Sequence, residues 1–463
     1  MARKANFFRA EAIPFSALIV LLILIFFMGG ASRADTQSLL VLRPISVIFC
    51  GIGLWSLRWH HVLAYKFLYA FIVAIFVLIG LHLIPLPSSL WGTLPGREII
   101  TEIDKVAELG AVSRPLSMVP SGSWNAFYSL FVPLAVLLLG SQLNREELFK
   151  LLPVVLGLGM LSGFIGLIQL IGDPQGPLYF YRITNNGSAV GLFANRNHQA
   201  VLLVTLLPML AVYACAGARS EEQFRVRGYI ALAAGIFLIP LLLVIGSRAG
   251  LILGVLGLIS IPIIYKKPAS LVPKKRKHQR FDPRFALGAL GVVCLGALTV
   301  IMSRAEAIQR LIQRSQMEDD RWMMWKPIAQ MAWKYFPFGS GAGSFVEVYQ
   351  IDEPYDLLNT TYLNHAHNDW LEVYLTLGLP GLILLTLACF FYLKSAFELL
   401  RPPFSEGRAY IFARLGLIMI LFFALGSVGD YPLRTPSLAS VFVIAALWLS
   451  ASRDKSTKST GRT

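Results

Sequence analysis

The chain has 463 residues, 56% of them hydrophobic and 14% charged, with a formal net charge of +15. That much apolar surface exceeds what a soluble domain can hide, so composition excludes a soluble or disordered protein and indicates a polytopic membrane protein. The basic excess serves to hold topology and to meet anionic lipid headgroups, and no nucleic-acid partner is expected.

About twenty apolar residues cross a bilayer core, and on that rule the chain carries about twelve spans. They fall at 13–30, 39–57, 65–84, 125–140, 148–172, 197–216, 229–246, 249–265, 285–302, 367–393, 411–429 and 437–450. The expected fold is all-α: one integral membrane domain over 1–463, with a basic cytoplasmic loop at 266–284 and a large periplasmic loop at 303–366 carrying amphipathic helices. Ala31-Ser32-Arg33-Ala34 has the small residues of a cleavage site, but the preceding apolar stretch exceeds a signal h-region, so an uncleaved anchor is expected. Cys50, Cys215, Cys294 and Cys389 all fall inside spans and read as small apolar packing residues.

Lys and Arg collect in cytoplasmic loops, and alternation of the spans gives one consistent orientation. Arg3, Lys4 and Arg9, then Arg58 and Lys66, Arg145 and Lys150, and Arg219, Arg225 and Arg227 fall inside. So do the block from Lys266 to Arg284, then Lys394, Arg401, Arg408 and the tail from Arg453. The stretches 85–124, 173–196 and 303–366 are left outside.

The polar groups with chemical potential lie on that outer side. Asn195, Arg196 and Asn197 open a span; the amides read equally as helix caps, and the arginine suits a phosphate. Ser247-Arg248-Ala249-Gly250 squeezes an arginine into a tight external turn, against the positive-inside trend, which marks Arg248 as a functional candidate. Arg304, Arg310, Arg314 and Arg321 recur among apolar residues at helical spacing, as in a helix lying in the headgroup layer. Glu318, Asp319 and Asp320 read as a solvated acidic turn.

The run Phe336 to Phe345 is glycine-rich. It lacks the Lys-Ser or Lys-Thr and the preceding strand of a phosphate loop, so close approach to a ligand or another helix is expected. In Asn364-His365-Ala366-His367-Asn368-Asp369-Trp370-Leu371-Glu372, His367 opens a long apolar helix and brings an imidazole with an ordinary pKa of about 6.5. The His-x-His-x-Asp spelling suggests a metal, but residues two apart diverge on a helix and further ligands are not evident, so no metal is expected. In the last external turn, Asp430 and Arg434 read either as a pair holding the turn or as catalytic groups.

These residues resemble the O-antigen ligase and O-antigen polymerase superfamily of bacterial inner-membrane glycosyltransferases. The likeness rests on Gly191-x-Phe193-x-Asn195-x-Asn197-x-x-Ala200, Ser247-Arg248-x-Gly250 and Arg321-Trp322. It continues through Pro337-x-Gly339-x-Gly341-x-Gly343-x-Phe345, His367-Asn368-x-x-Leu371-Glu372 and Gly378-x-x-Gly381. The resemblance implies an undecaprenyl-diphosphate-linked glycan as donor and a glycan or lipid A core as acceptor. It also implies a periplasm-facing site in the inner membrane and no metal or other cofactor. It makes His367 the essential histidine and assigns Arg248 and Arg321 to the diphosphate, with Arg196 a further candidate. Asn195, Asn197, Asn368 and Glu372 would support them.

An anomeric carbon bonded to diphosphate already has a good leaving group. The protein must stabilise charge on it with fixed cations and take the acceptor proton with a base. In-line displacement inverts the anomeric configuration. Ligation to lipid A core, repeat-unit polymerisation and transfer to a protein hydroxyl all fit. A lipid-linked glycan transporter is the alternative from another class, opposed by few charges deep in the spans and no evident internal repeat.

Overall fold

The computed structural model of the chain describes residues 2–265, 316–358, 362–401 and 407–450, with the side chains of 2–12 and 316–322 left aside. The basic loop at 266–284, the span at 285–302 with Cys294, the tail from Arg453 and Arg304, Arg310 and Arg314 lie outside the described residues. So do the side chains of Glu318, Asp319, Asp320 and Arg321.

The first half runs α1 (Ala2–Met28), α2 (Leu39–Ser56), α3 (Trp59–Ala64), α4 (Lys66–His82), β1 (Pro85–Leu86), α5 (Ser88–Trp91), α6 (Glu98–Val106), β2 (Arg114–Pro115), α7 (Pro120–Ser129) and α8 (Phe131–Gly140). Then come α9 (Arg145–Ile171), α10 (Arg196–Cys215), α11 (Glu221–Ile245), α12 (Arg248–Ile264), α13 (Gln316–Lys334), α14 (Phe345–Ile351), α15 (Asp369–Leu400), α16 (Arg408–Gly429) and α17 (Pro436–Ser450). Among the described residues, seven helices are long and apolar enough to cross a membrane, and four shorter apolar helices accompany them. The protein is thus an all-α polytopic membrane protein, apart from the antiparallel two-residue pair β1–β2.

The expected span at 125–140 is longer than its apolar core suggests. Pro120 and the polar turn after it begin a helical run that reaches Gly140, because proline suits a first helical turn, where its missing N–H costs nothing. α9 starts on a capping box in which Asn144 accepts from the Glu147 N–H and Glu147 accepts from the Asn144 N–H. The last long span begins at Asp369 and runs on to Leu400, past the expected 367–393.

α10 is buried along nearly its whole length, at the centre, against α9, α11, α12 and α16. In a membrane, association relies on close packing rather than on escape from water, and small residues permit it. Gly250 of α12 faces Ala200 of α10, and Gly416 of α16 lies against the Ala445 backbone of α17. Outward, Ile48, Val73, Val77, Val255, Ile259, Phe390 and Phe397 stay exposed, as lipid-facing side chains do.

Backbone bonds tie the loops of one end together. The Ser437 N–H donates to the Gly29 carbonyl at 3.0 Å and the Ala194 N–H to the Gly30 carbonyl at 3.1 Å. The helix ends at Gly29, His82, Ile171, Gly246 and Gly429 and the helix starts at Arg196, Arg248, Asp369 and Pro436 therefore share one end, called here the site end. At the opposite end lie Arg58, Arg145, Arg219, Arg227, Arg401 and Arg408, where Arg408 meets Glu146 at 2.7 Å.

Candidate active site

The site end is organised by a break in α15. Gly378 sits at φ 56°, ψ −145°, inside an otherwise helical run. A kink frees carbonyls that need new donors, and the glycine-rich turn supplies them: the Ser340 N–H donates to the Leu375 carbonyl at 3.0 Å and the Gly341 N–H to that of Thr376 at 2.9 Å. In return the Leu379 N–H donates to the Pro337 carbonyl at 2.8 Å. A Cβ on Gly378 would overlap that same carbonyl, and one on Gly339 would strike the Thr376 carbonyl. The glycines thus serve approach to another helix, as their spacing suggests.

The 85–124 stretch clamps this turn. Arg97, fully buried, donates to the carbonyls of Pro95, Leu116 and Gly339 at 2.7, 2.8 and 3.1 Å, and its guanidinium lies 5.4 Å from the Tyr335 ring centre. The Ala342 N–H donates to His82 Nδ1 at 3.3 Å. Below the clamp, Met324, Ile328, Met331, Tyr335, Phe345 and Leu375 form a second apolar core that seats α13 on α15.

His367 stands two residues before α15 rather than in its first turn, with Asn368 as the cap whose side-chain oxygen accepts from the Leu371 N–H at 3.1 Å. Its backbone is left-handed, φ 49°, a conformation that costs a residue with a Cβ and that surrounding contacts must enforce. Two contacts do so. Glu372 reaches back to accept from the Ala366 N–H at 2.9 Å, and His367 Nδ1 lies 3.4 Å from Asp430 Oδ1.

Asp430 is the centre of the arrangement. Its N–H closes α16 on the Gly426 carbonyl, a position where the helix dipole disfavours an anion. The start of α10 compensates: Asn197 donates to Oδ2 at 2.6 Å, Asn195 approaches it at 3.4 Å, and buried His198 places Nε2 3.7 Å from Oδ1. The Tyr431 N–H adds a 3.0 Å bond to Oδ1. Burial works to raise the Asp430 carboxyl, yet hydrogen bonding and charge from His198 and His367 hold it well below the usual carboxylate range. The Tyr431 ring separates the imidazoles, 4.9 Å from His367, 5.0 Å from His198 and 4.3 Å from His365.

Of the two readings of the last turn, the Asp430–Arg434 pair does not form. Arg434 turns to the other helix start instead, its Nε 2.7 Å from Asp369 and its Nη1 3.1 Å from Glu372. There two carboxylates in a first helical turn offer more compensating charge than one already engaged by donors. Burial works to lower the Arg434 guanidinium, and Glu372 and Asp369 more than offset it. Glu372 also meets His365 Nδ1 at 3.2 Å, so it supports His367 through the backbone at Ala366 rather than by touching its ring.

Asn195 does cap α10, accepting from the Asn197 N–H at 2.8 Å, while both amides point donors at Asp430. Arg196 is the first residue of α10, half-buried, its N–H bonded to Asn185. Arg248 is half-buried in the first turn of α12, where Ser247 accepts from the Gly250 N–H at 3.0 Å. Since Gly250 abuts Ala200, two residues past His198, Arg248 stands at the same end as His367 and Asp430. Arg321 is helical in α13. His365 and His367 face different carboxylates, and among the described residues no group of three or more His, Cys, Asp or Glu gathers in metal-holding fashion.

Sequence reasoning did not single out His198, Tyr431 or Arg97, and left Asp430 open between pairing with Arg434 to hold the turn and a catalytic role. An acidic residue ending an apolar helix, where the dipole opposes it, is the signal that marks Asp430. For Arg97 no local signal exists, because its acceptors lie up to 242 positions away. A search of curated proteins finds no match. Residues 233–386, from within α11 through the glycine turn and His367 to the middle of α15, match the O-antigen ligase family.

Proposed function

We propose that the protein transfers a glycan from undecaprenyl diphosphate to an acceptor hydroxyl, most simply the lipid A core, at the periplasmic face of the bacterial inner membrane. The observation that carries the reading is His367, held in a left-handed backbone conformation with Nδ1 turned to the buried carboxylate of Asp430, inside the segment that matches the O-antigen ligase family.

The hydroxyl oxygen attacks the anomeric carbon as the bond from that carbon to the diphosphate oxygen breaks, and the anomeric configuration inverts. The hydroxyl proton passes to His367 Nε2. Nδ1 keeps its contact with Asp430, whose charge balances the imidazolium that forms. Undecaprenyl diphosphate departs with the electron pair. Arg248, Arg321 and Arg196 are the cations assigned to it, since guanidinium forks suit phosphate oxygens and act strongly where water is scarce. Asn195 and Asn197 fix Asp430, and Asn368 and Glu372 fix the backbone on either side of His367.

The periplasmic assignment is supported by the Lys and Arg bias of the opposite end. Purified protein in liposomes, given undecaprenyl-diphosphate-linked glycan and lipid A core, should yield one new glycolipid band. A ladder would indicate repeat-unit polymerisation, and liposomes that move the lipid-linked glycan without making any glycosidic bond would overturn the proposal.

A further inference from the structure

A concave region opens at the site end, lined by residues other than His367 and Asp430. It is a cleft of about 360 Å³ between residues 31–38, after α1, and residues 180–183, before α10. That volume is at the small end of the range for ligand pockets. Arg33 grips Asp35 with Nε and Nη2 at 3.0 and 3.3 Å, and Arg182 reaches the same carboxylate at 3.0 Å. The Arg33 guanidinium lies 5.2 Å from the ring centre of Tyr362. Phe180 and Tyr362 are about half exposed, and the Arg182 side chain is 80% exposed.

The cleft is joined to the candidate active site along two routes. Tyr362 begins the short run that ends at His367, and within that run Asn364 donates to the Tyr431 hydroxyl at 3.2 Å. The floor is the second route: the Gly30 N–H donates to the Tyr181 hydroxyl at 2.7 Å, and the Gly30 carbonyl accepts from Ala194, the neighbour of Asn195 at Asp430. The chain thereby ties the cleft to both His367 and its carboxylate.

Its chemistry is specific. A sugar ring needs donors and acceptors together for its hydroxyls and a flat apolar surface for its C–H face, and exposed aromatic rings beside a guanidinium–carboxylate cluster offer both. The Asp35 carboxylate offsets one of the two guanidinium charges and would face a phosphate bound between them, and this favours neutral sugar hydroxyls over a lipid headgroup. We propose that this cleft is a saccharide subsite that holds sugar residues remote from the bond being made, so that one substrate glycan spans from His367 to Arg182.

The inference rests on the glycosyl-transfer reading, but its test is binding rather than turnover. Two probes are used on the purified full chain in detergent: core oligosaccharide released from lipopolysaccharide by mild acid, and repeat-unit oligosaccharide freed from its lipid carrier. Saturation-transfer NMR and titration compare wild type with Arg182→Ala, Tyr362→Ala and His367→Asn. Arg182 is the first choice because truncating so exposed a side chain removes no buried packing, and melting curves establish that each variant is folded.

Arg182→Ala and Tyr362→Ala should each weaken one probe by about tenfold, the scale of a lost bond to a charged group, while His367→Asn binds within about twofold of wild type. The probe that weakens identifies whether the acceptor or the donor glycan occupies the cleft. Wild type that binds neither probe, or folded variants that bind both as wild type does, would overturn the subsite. Absence of transfer by wild type would instead remove the functional reading and leave the binding result standing.

Discussion

Two histidines two positions apart serve opposite kinds of cluster. His365 joins Glu372, Asp369 and Arg434, where a guanidinium, a backbone N–H and the start of α15 balance two carboxylates. His367 joins Asp430 and His198, where the fixed donors are neutral amides and the groups able to balance the carboxylate fully are imidazoles that become cationic only on taking a proton. The first cluster holds a guanidinium among its members, and the second has imidazoles in that place. A base that must gain positive charge during a reaction is better placed in the second, although both touch Tyr431.

The sharpest break in the comparison is His367→Asn. Asparagine tolerates the left-handed conformation, so the backbone at φ 49° keeps its geometry while the proposed base is lost. Transfer should fall by about 10²- to 10⁴-fold, with the melting temperature close to wild type. Turnover at the wild-type rate by the folded variant would remove His367 as the base.

Arg434→Met tests the other cluster. It leaves Glu372, 1% exposed, and Asp369 without their guanidinium, and breaking such a pair should cost about 3 kcal/mol, read as a lower melting temperature in detergent. Activity per folded molecule should fall much less than in His367→Asn. If instead Arg434→Met melts like wild type while transfer vanishes, the guanidinium acts on substrate and the division between the clusters fails.

How much of this was legible depends on whether a signal is local. The apolar runs are local, and so is the oddity of an arginine in the tight turn at Ser247-Arg248, which the structure places in the first turn of α12 at the site end. The glycine run was legible as a close approach, but its partner was not, since nothing near Gly339 announces the broken carbonyls at Leu375 and Thr376. Asp430 was read with its sequence neighbour Arg434, whereas its partners Asn197 and His367 come from the starts of other helices and the turns before them. Asn197 is 233 positions away, and such pairings follow from packing at the ends of α10, α15 and α16. The start of α7 was missed because an apolar criterion skips the polar turn after Pro120.

Acid should weaken the second cluster through Asp430. Its carboxyl is held below the ordinary value in the folded protein, so its stabilisation is complete above the unfolded-chain value of about 4 and is lost as the pH falls through the depressed folded value. Melting temperatures measured through that window should decline in wild type, and Asp430→Asn should remove part of the decline. Equal slopes for the two proteins would mean that Asp430 gains nothing from its imidazoles.

The smallest expected effect belongs to His365→Gln. Glutamine retains a hydrogen-bonding group near Glu372 Oε1, and Glu372 keeps its bonds to Arg434 and the Ala366 N–H, so the loss should be about 1 kcal/mol, the net worth of one hydrogen bond. Because Glu372 still anchors Ala366, the residue before His367, the position of the base should survive and transfer should stay within about threefold of wild type. Transfer assays on His365→Gln and His367→Asn side by side decide the matter. A loss in His365→Gln as deep as in His367→Asn would show the two imidazoles working as one unit across the Tyr431 ring, because Glu372 by itself would then be unable to hold the catalytic geometry.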